Sequence, residues 1–184
     1  MLMPAQPTNM ETQRLILRPW REEDIEPFAA MSADPAVAEY LGGPLDRAGA
    51  EAAMARIAAH FDEHGFGFWA LELKGATPFI GFAGLQHVGF DAPFTPAVEI
   101  GWRLAREHWG KGYATEAAPA AIAFGFETLG LDEIVAFTVP ANLHSRAVME
   151  RLGMSRNPAE DFDHPRLPEG HPLKRHVLYR IALA

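Results

Sequence analysis

The residues able to do chemistry concentrate in Val98–Ala117, VEIGWRLAREHWGKGYATEA. The pattern reads as a strand, a tight loop carrying Gly110 and Gly112, and the start of a helix. A helix's first turn presents unpaired N–H groups and the positive end of its dipole, and glycines let a phosphate approach the backbone. Lys111 adds charge, so the loop reads as an anion site; the plainer alternative is a glycine-rich turn with no ligand. A Walker loop is excluded, because no GxxxxGK followed by Ser or Thr occurs. The dinucleotide fingerprint fails as well. It needs a third glycine where Thr115 stands, and an acid ending the next strand, whereas Asp132 precedes that strand.

Other reactive groups are scarce. The absence of cysteine removes thiolate nucleophiles, disulfides, iron–sulfur clusters and sulfur-ligated zinc. None of the three serines sits in a GxSxG elbow. His60 and His64 stand i, i+4, but HFDEH is not HExxH, and a surface helix end is the simpler reading. His164, His171 and His176 accompany a Pro-rich loop; a pair of them could ligate a metal, but solvated histidines are the norm in loops. No metal is expected. Phe66, Phe68 and Trp69 suit core and pocket walls. Glu160, Asp161 and Asp163 form a small acidic cluster, either attractive to a cationic amine or simply solvated.

These residues need a scaffold, and 184 residues with 48% hydrophobic content suit one domain, 1–184. Leu15–Leu17 reads as a strand ended by Pro19. A helix over Arg21–Met31 carries Glu22, Glu23 and Asp24 at its positive end, with Ile25 and Phe28 on one face. A second helix runs from the cap Asp46 to His64 and stops at Gly65. Phe66–Leu73, Phe79–His87 and Ala97–Leu104 follow as an antiparallel meander. Then come a helix over Gly112–Thr128, a strand Ile134–Val139, a helix Asn142–Leu152 capped by Gly153, and a last strand His176–Leu183. The order β-α-α-β-β-β-α-β-α-β implies a mixed sheet with helices on both faces. The formal charge of −8 argues against nucleic-acid or anionic-membrane partners. The N-terminus shows no export signal, and no apolar run approaches a membrane span, so a cytoplasmic location is expected.

Trp109–Ala114, WGKGYA, resembles the acyl-CoA loop of the Gcn5-related N-acetyltransferases: Gln or Arg, two residues, Gly, one residue, then Gly or Ala. Trp109 replaces the usual Gln or Arg. The run EIGWRL…WGKGYATEA is similar to the branch that acetylates N-termini of ribosomal proteins. HGFGFWALE, PFIGFAGL and VPANLHSRAVMERLGM extend the likeness over most of the chain, the Pro-rich C-terminal loop excepted. The resemblance implies an α+β fold, with a mixed, largely antiparallel sheet of about six to seven strands and helices on both faces. It implies that Glu99–Leu104 splays from Ile134–Val139, with the pantetheine of acetyl-CoA in the gap on the backbone of Trp102 and Leu104. The diphosphate would meet the amides of Trp109, Gly110, Lys111, Gly112, Tyr113, Ala114 and Thr115. Gly101, inside a strand, marks a bulge or a close backbone approach.

For catalysis the resemblance implies direct attack of a primary amine on the thioester. Glu99 is the candidate base, directly or through water, unless it is a solvated strand carboxylate. Asn142 bonds the pantetheine or merely caps its helix. Ser145 stabilises the leaving thiolate or is a first-turn serine bonded to backbone. The tyrosine acid of many relatives, four residues before the helix-ending glycine, is Met149 here. The expected acceptor is a protein N-terminus, with a small amine close behind, and the expected assembly a monomer or homodimer. Two other readings stay open: a CoA-binding regulator without catalysis, and a phosphate or nucleotide binder of another fold.

Overall fold

The structure is a computed structural model that describes residues 9–183. The expected lack of an export signal rests mainly on residues 1–8 and lies outside the described residues. The strands are β1 (Met10–Glu11), β2 (Leu15–Arg18), β3 (Phe68–Leu73), β4 (Thr77–His87), β5 (Val98–Leu104), β6 (Glu133–Thr138), β7 (Ser155–Arg156), β8 (Phe162–Asp163) and β9 (Arg175–Ala182). The helices are α1 (Ile25–Ala33), α2 (Pro35–Ala38), α3 (Arg47–His64), α4 (Tyr113–Glu127) and α5 (Leu143–Arg151). The sheet runs β1-β2-β3-β4-β5-β6-β9-β7, and β8 also pairs with β9. The β5–β6 pair is parallel, and the other pairs are antiparallel. The three strands beyond the expected six, β1, β7 and β8, have two residues each, too few for a period-two signal.

Alternation along the strands sorts the two faces. Trp69, Leu71, Ala83, Leu85, Ile100 and Leu104 point to one side and pack with Ala117, Ala118 and Ala121 of α4. The small alanines let the helix lie close to the sheet. Ala70, Phe79 and Phe82 point the other way, against Phe28 and Met31 of α1, with Trp20 beside them. Farther along that second face, Val135, Leu178 and Phe162 gather Phe90, Phe94 and Phe137 into an aromatic cluster. Between these two clusters lies a strip from β5: Glu99, Gly101 and Arg103, opposite Gln86, Gly84 and Phe82 of β4.

The acids expected at the positive end of the first helix lie there, and Asp24, which accepts from Arg21 N–H at 2.8 Å, has a second task. Glu22–Asp24 form a 3-10 turn ahead of α1. Asp24 is buried and holds Arg18 through two 2.8 Å bonds. Helix α3 behaves as its sequence suggests: the Asp46 carboxylate accepts from Gly49 N–H, and Gly65 ends it at φ 77°. Among the described residues, no helix is long and apolar enough to cross a membrane.

Candidate active site

The glycine loop leaves β5 through a 3-10 turn, Arg106–His108, and enters α4 at Gly112. Gly110 and Gly112 have φ of 70° and 79°, a left-handed conformation that side chains other than glycine resist. Among the described residues, no backbone or side-chain group accepts from the amides of Gly110 through Thr115. They are the orphan donors of a helix start, and a diphosphate fits them; Trp109 N–H, expected among them, is not one, because it donates to Arg106 C=O at 3.1 Å. The acid in this first turn, Glu116, does not oppose such a ligand freely. It accepts from Thr12 Oγ1 (2.6 Å), Arg14 N–H (2.7 Å) and Arg14 Nε (2.6 Å). The Arg14 guanidinium lies over the Tyr113 ring at 4.5 Å, with Nη2 beside Gly112. Arg14 thus joins Lys111 as a cation at the loop. Local pattern gave no hint of it, because Glu116 is 102 residues away in sequence.

The gap expected between β5 and β6 is present. The two strands share a single register pair, Glu99 with Val135, while β4 accompanies β5 along its whole length. Val88 N–H donates to Ala97 C=O and Ala105 N–H to Ile80 C=O. By antiparallel alternation, the main-chain groups of Ile100, Trp102 and Leu104 face the β6 side. The side chains of Trp102 and Leu104 belong to the α4 core. The Leu104 carbonyl already has a donor, the indole Nε1 of Trp109 at 2.8 Å. The Trp109 ring is 6.5 Å from His144 of α5, so it covers the loop end of the gap.

Glu99 stands where the strands part. Gln86 Nε2 donates to its Oε1 at 2.9 Å. Burial pushes its pKa up to about 7, against the opposing pull of the Gln86 bond and the positive Arg166. A carboxylate poised near neutrality suits a base that must accept and release a proton. Val98, one residue earlier, is buried in the α4 core, so the face reversal leaves Glu99 as the residue on the cleft side. Arg166 comes from the Pro-rich loop for which no role was legible. It donates to Gly89 C=O and lies over Phe90. Gly101 is no bulge, because its register with Gly84 is continuous. A Cβ there would come within 3.0 Å of the Phe68 ring, which explains the glycine.

Helix α5 borders the other wall. Asn142 caps it: Oδ1 accepts from Ser145 N–H at 3.2 Å, and Nδ2 donates to Thr138 Oγ1 at 3.0 Å. Ser145 is half-buried in the first turn. Met149 is buried in the α4 core. The Tyr179 hydroxyl donates to Glu150 at 3.0 Å and accepts from Arg146 Nε at 3.3 Å. Thr115 is half-buried at the start of α4.

Two expectations outside the cleft need correction. The acidic cluster is neither free for an amine nor merely solvated: Glu160 pairs with Arg180, Asp161 with Arg156 and Asp163 with Arg175. His164 and His176 are not solvated loop residues. Their rings lie 5.1 Å apart beside Phe162, and burial lowers both pKa values. His60 donates from Nδ1 to Phe66 C=O and accepts at Nε2 from His87 N–H, so both ring nitrogens are occupied.

A mixed sheet that opens along one parallel pair lies beside a glycine loop at a helix start. The family model of the acetyltransferase (GNAT) domain matches residues 14–155, and the chain belongs to that family. It is 31% identical over 148 residues to YkkB of Bacillus subtilis, covering 80% of this chain and 85% of that protein. It is 31% identical over 173 residues to FsC-acetyl coenzyme A-N(2)-transacetylase of Aspergillus fumigatus, covering 84% of this chain and 68% of that one. The crystal structure of an acetyltransferase from Agrobacterium tumefaciens superposes with a TM-score of 0.77 at 31% identity, covering 96% of this chain and 95% of that one.

Proposed function

We propose that this chain is an acetyl-CoA-dependent N-acetyltransferase of primary amines, with a protein N-terminus as first-choice acceptor and a small amine as the second. The observation that carries this reading is the position of Glu99 at the fork of β5 and β6, with a pKa near 7. The family uses acetyl-CoA as donor, and the residues present suit it: unpaired amides and two cations at the loop, and strand backbone turned to the gap.

Acetyl-CoA supplies an acetyl group activated as a thioester. In this reading Glu99 takes one proton from the bound ammonium, directly or through water, and the neutral nitrogen bonds to the carbonyl carbon as the carbon–sulfur bond breaks. The N–H group of Trp102, beyond the Glu99–Val135 bridge, faces the gap and is available to the carbonyl oxygen or the pantetheine amides. Ser145 hydrogen-bonds the departing sulfur, whose electron pair takes the nitrogen's second proton. Glu99 then returns its proton to water, and the products are an amide and a thiol.

Thermal shifts with acetyl-CoA, CoA and ATP, followed by thiol release from a panel of peptides and amines, test the proposal. Stabilisation by both thioester and thiol, with turnover, is expected. Stabilisation by ATP but not CoA would favour the nucleotide binder, and CoA binding without turnover the regulator. Gly112→Asp sets a carboxylate against the diphosphate at a left-handed position and is expected to abolish CoA binding. Ser145→Ala is expected to slow turnover more than it weakens CoA binding.

A further inference from the structure

On the second face of the sheet, α1, the loop after α2, and α3 enclose a cavity of about 210 Å³ against β5. Its polar lining consists of Ser32, Arg56 and Arg103, and no acidic residue lines it. Arg103 is half-buried, with its guanidinium 5.2 Å from the centroid of the Phe82 ring. Among the described residues, no carboxylate or carbonyl pairs with its side chain. Burial lowers its pKa to about 10, with no opposing acid to raise it. The Ser32 hydroxyl is buried and has no hydrogen-bond partner among the described residues. Leaving such groups unmatched is costly, and a chain with net charge −8 had acids to spare for them.

We infer that the cavity holding Arg103 and Ser32 is a subsite for a carboxylate of the acceptor amine. This rests on the acetyltransferase reading and, within it, favours the second acceptor class, a small amine that carries a carboxylate. Arg103 and Glu99 lie on one strand and one face, with Gly101 between them and the Phe68 ring over that glycine. Four strand residues span about 13 Å, so the carboxylate sits several bonds from the reacting nitrogen, as in a short peptide or an ω-amino acid. Arg103 offers the planar two-pronged donor that a carboxylate matches. Arg56, on the exposed side of α3, adds charge at the edge. The acceptor thereby enters with its amine toward Glu99 and its anionic end toward α1.

Triglycine against triglycinamide, and 6-aminohexanoate against its amide, are the probes. With the full chain and saturating acetyl-CoA, kcat/KM is expected to favour each acid over its amide by roughly tenfold to a hundredfold. Arg103→Met is expected to erase that preference through the acceptor KM, leaving acetyl-CoA affinity within twofold, while Arg103→Lys keeps part of it. Thermal shifts with the same four probes in the presence of CoA read the subsite without turnover. A shift by the acids alone, absent in Arg103→Met, supports the subsite even if no amine is acetylated, in which case only the enzymatic reading falls. Equal treatment of acid and amide by the wild type, in both rate and shift, overturns the subsite while leaving the transferase intact. So does an equal loss of acetyl-CoA affinity in Arg103→Met.

Discussion

The indole Nε1 of Trp109 donates to the main-chain carbonyl of Leu104 at 2.8 Å, tying the glycine loop back to the last residue of the strand it leaves. The residue that departs from the family's Gln or Arg thus supplies a donor of its own. It fixes where Gly110–Thr115 stand relative to the gap, and it occupies a carbonyl that the pantetheine would otherwise meet. Of the two backbone positions expected to face the pantetheine, only Trp102 keeps both main-chain groups open to it.

Trp109→Phe keeps the ring and removes the donor. One hydrogen bond of about 1 kcal/mol holds the loop, so acetyl-CoA affinity is expected to fall roughly fivefold. Trp109→Gln restores a donor and should recover to within twofold. Calorimetric titration with CoA checks both, and unchanged affinity in Trp109→Phe would show that the loop is held by its glycines alone.

Glu99 titrates near neutrality because burial opposes its charge, with Gln86 and Arg166 pulling the other way. As a base it must be ionised, so kcat/KM is expected to rise with pH through an inflection near 7 and then level off. Gln86→Leu removes a bond to the carboxylate and should move that inflection higher. Glu99→Gln is expected to cost about a hundredfold or more in kcat. The stability sign is the reverse of the activity sign. A carboxyl whose folded pKa exceeds its unfolded value favours the native state at low pH, and that advantage is lost between about 4.5 and 7. Glu99→Gln should therefore melt higher than the wild type at pH 8, and the difference should shrink as pH falls from about 7 to about 4.5.

Glu116 works in the opposite sense. Burial raises its pKa, but bonds from Thr12 and Arg14 outweigh burial and hold it below the usual carboxylate range. Its contribution is present above the unfolded pKa and is lost as pH falls through the lower folded value. Glu116→Gln is expected to cost about 1–2 kcal/mol in urea unfolding at pH 7 and progressively less as pH falls below the unfolded value of 4.5. The same change frees the start of α4 from the β1–β2 turn, so CoA affinity should drop as well.

Features that rest on local pattern were legible in the chain. The β3–β4–β5 meander, the Asp46 and Gly65 ends of α3, and the strand-loop-helix around Gly110 and Gly112 each depend on neighbours in sequence. What was hidden depends on distant partners. Arg14 gains meaning only through Glu116, and Asp161 only through the approach of Arg156 as β7 joins β9. Arg103 reads as one more strand residue until the absence of a counter-ion is seen in three dimensions. The burial of His164 and His176 follows from Phe90, Phe94 and Phe137, which the loop between β4 and β5 and strand β6 bring together. Spacing within a Pro-rich loop carries no trace of that.

Arg18 and Asp24 give a test of the fold independent of the cleft. Both are buried, with side chains 2% exposed, and the carboxylate also accepts from Arg21 N–H at 2.8 Å. The guanidinium completes its set with Glu72 at 2.9 Å and the carbonyls of Pro19 and Pro78. Such a pair adds little over an apolar replacement, yet removing one partner strands a buried charge. Asp24→Ala leaves Glu72 as the one counter-charge at Arg18 and is expected to cost about 3 kcal/mol, or roughly 6–12 °C in Tm for a chain of this size. Arg18→Met with Asp24→Ala should recover part of that loss, because the uncompensated charge is gone. Calorimetric melts of the two variants decide it. If the double variant is less stable than Asp24→Ala, Arg18 is holding the Pro19 and Pro78 carbonyls as much as it is answering Asp24.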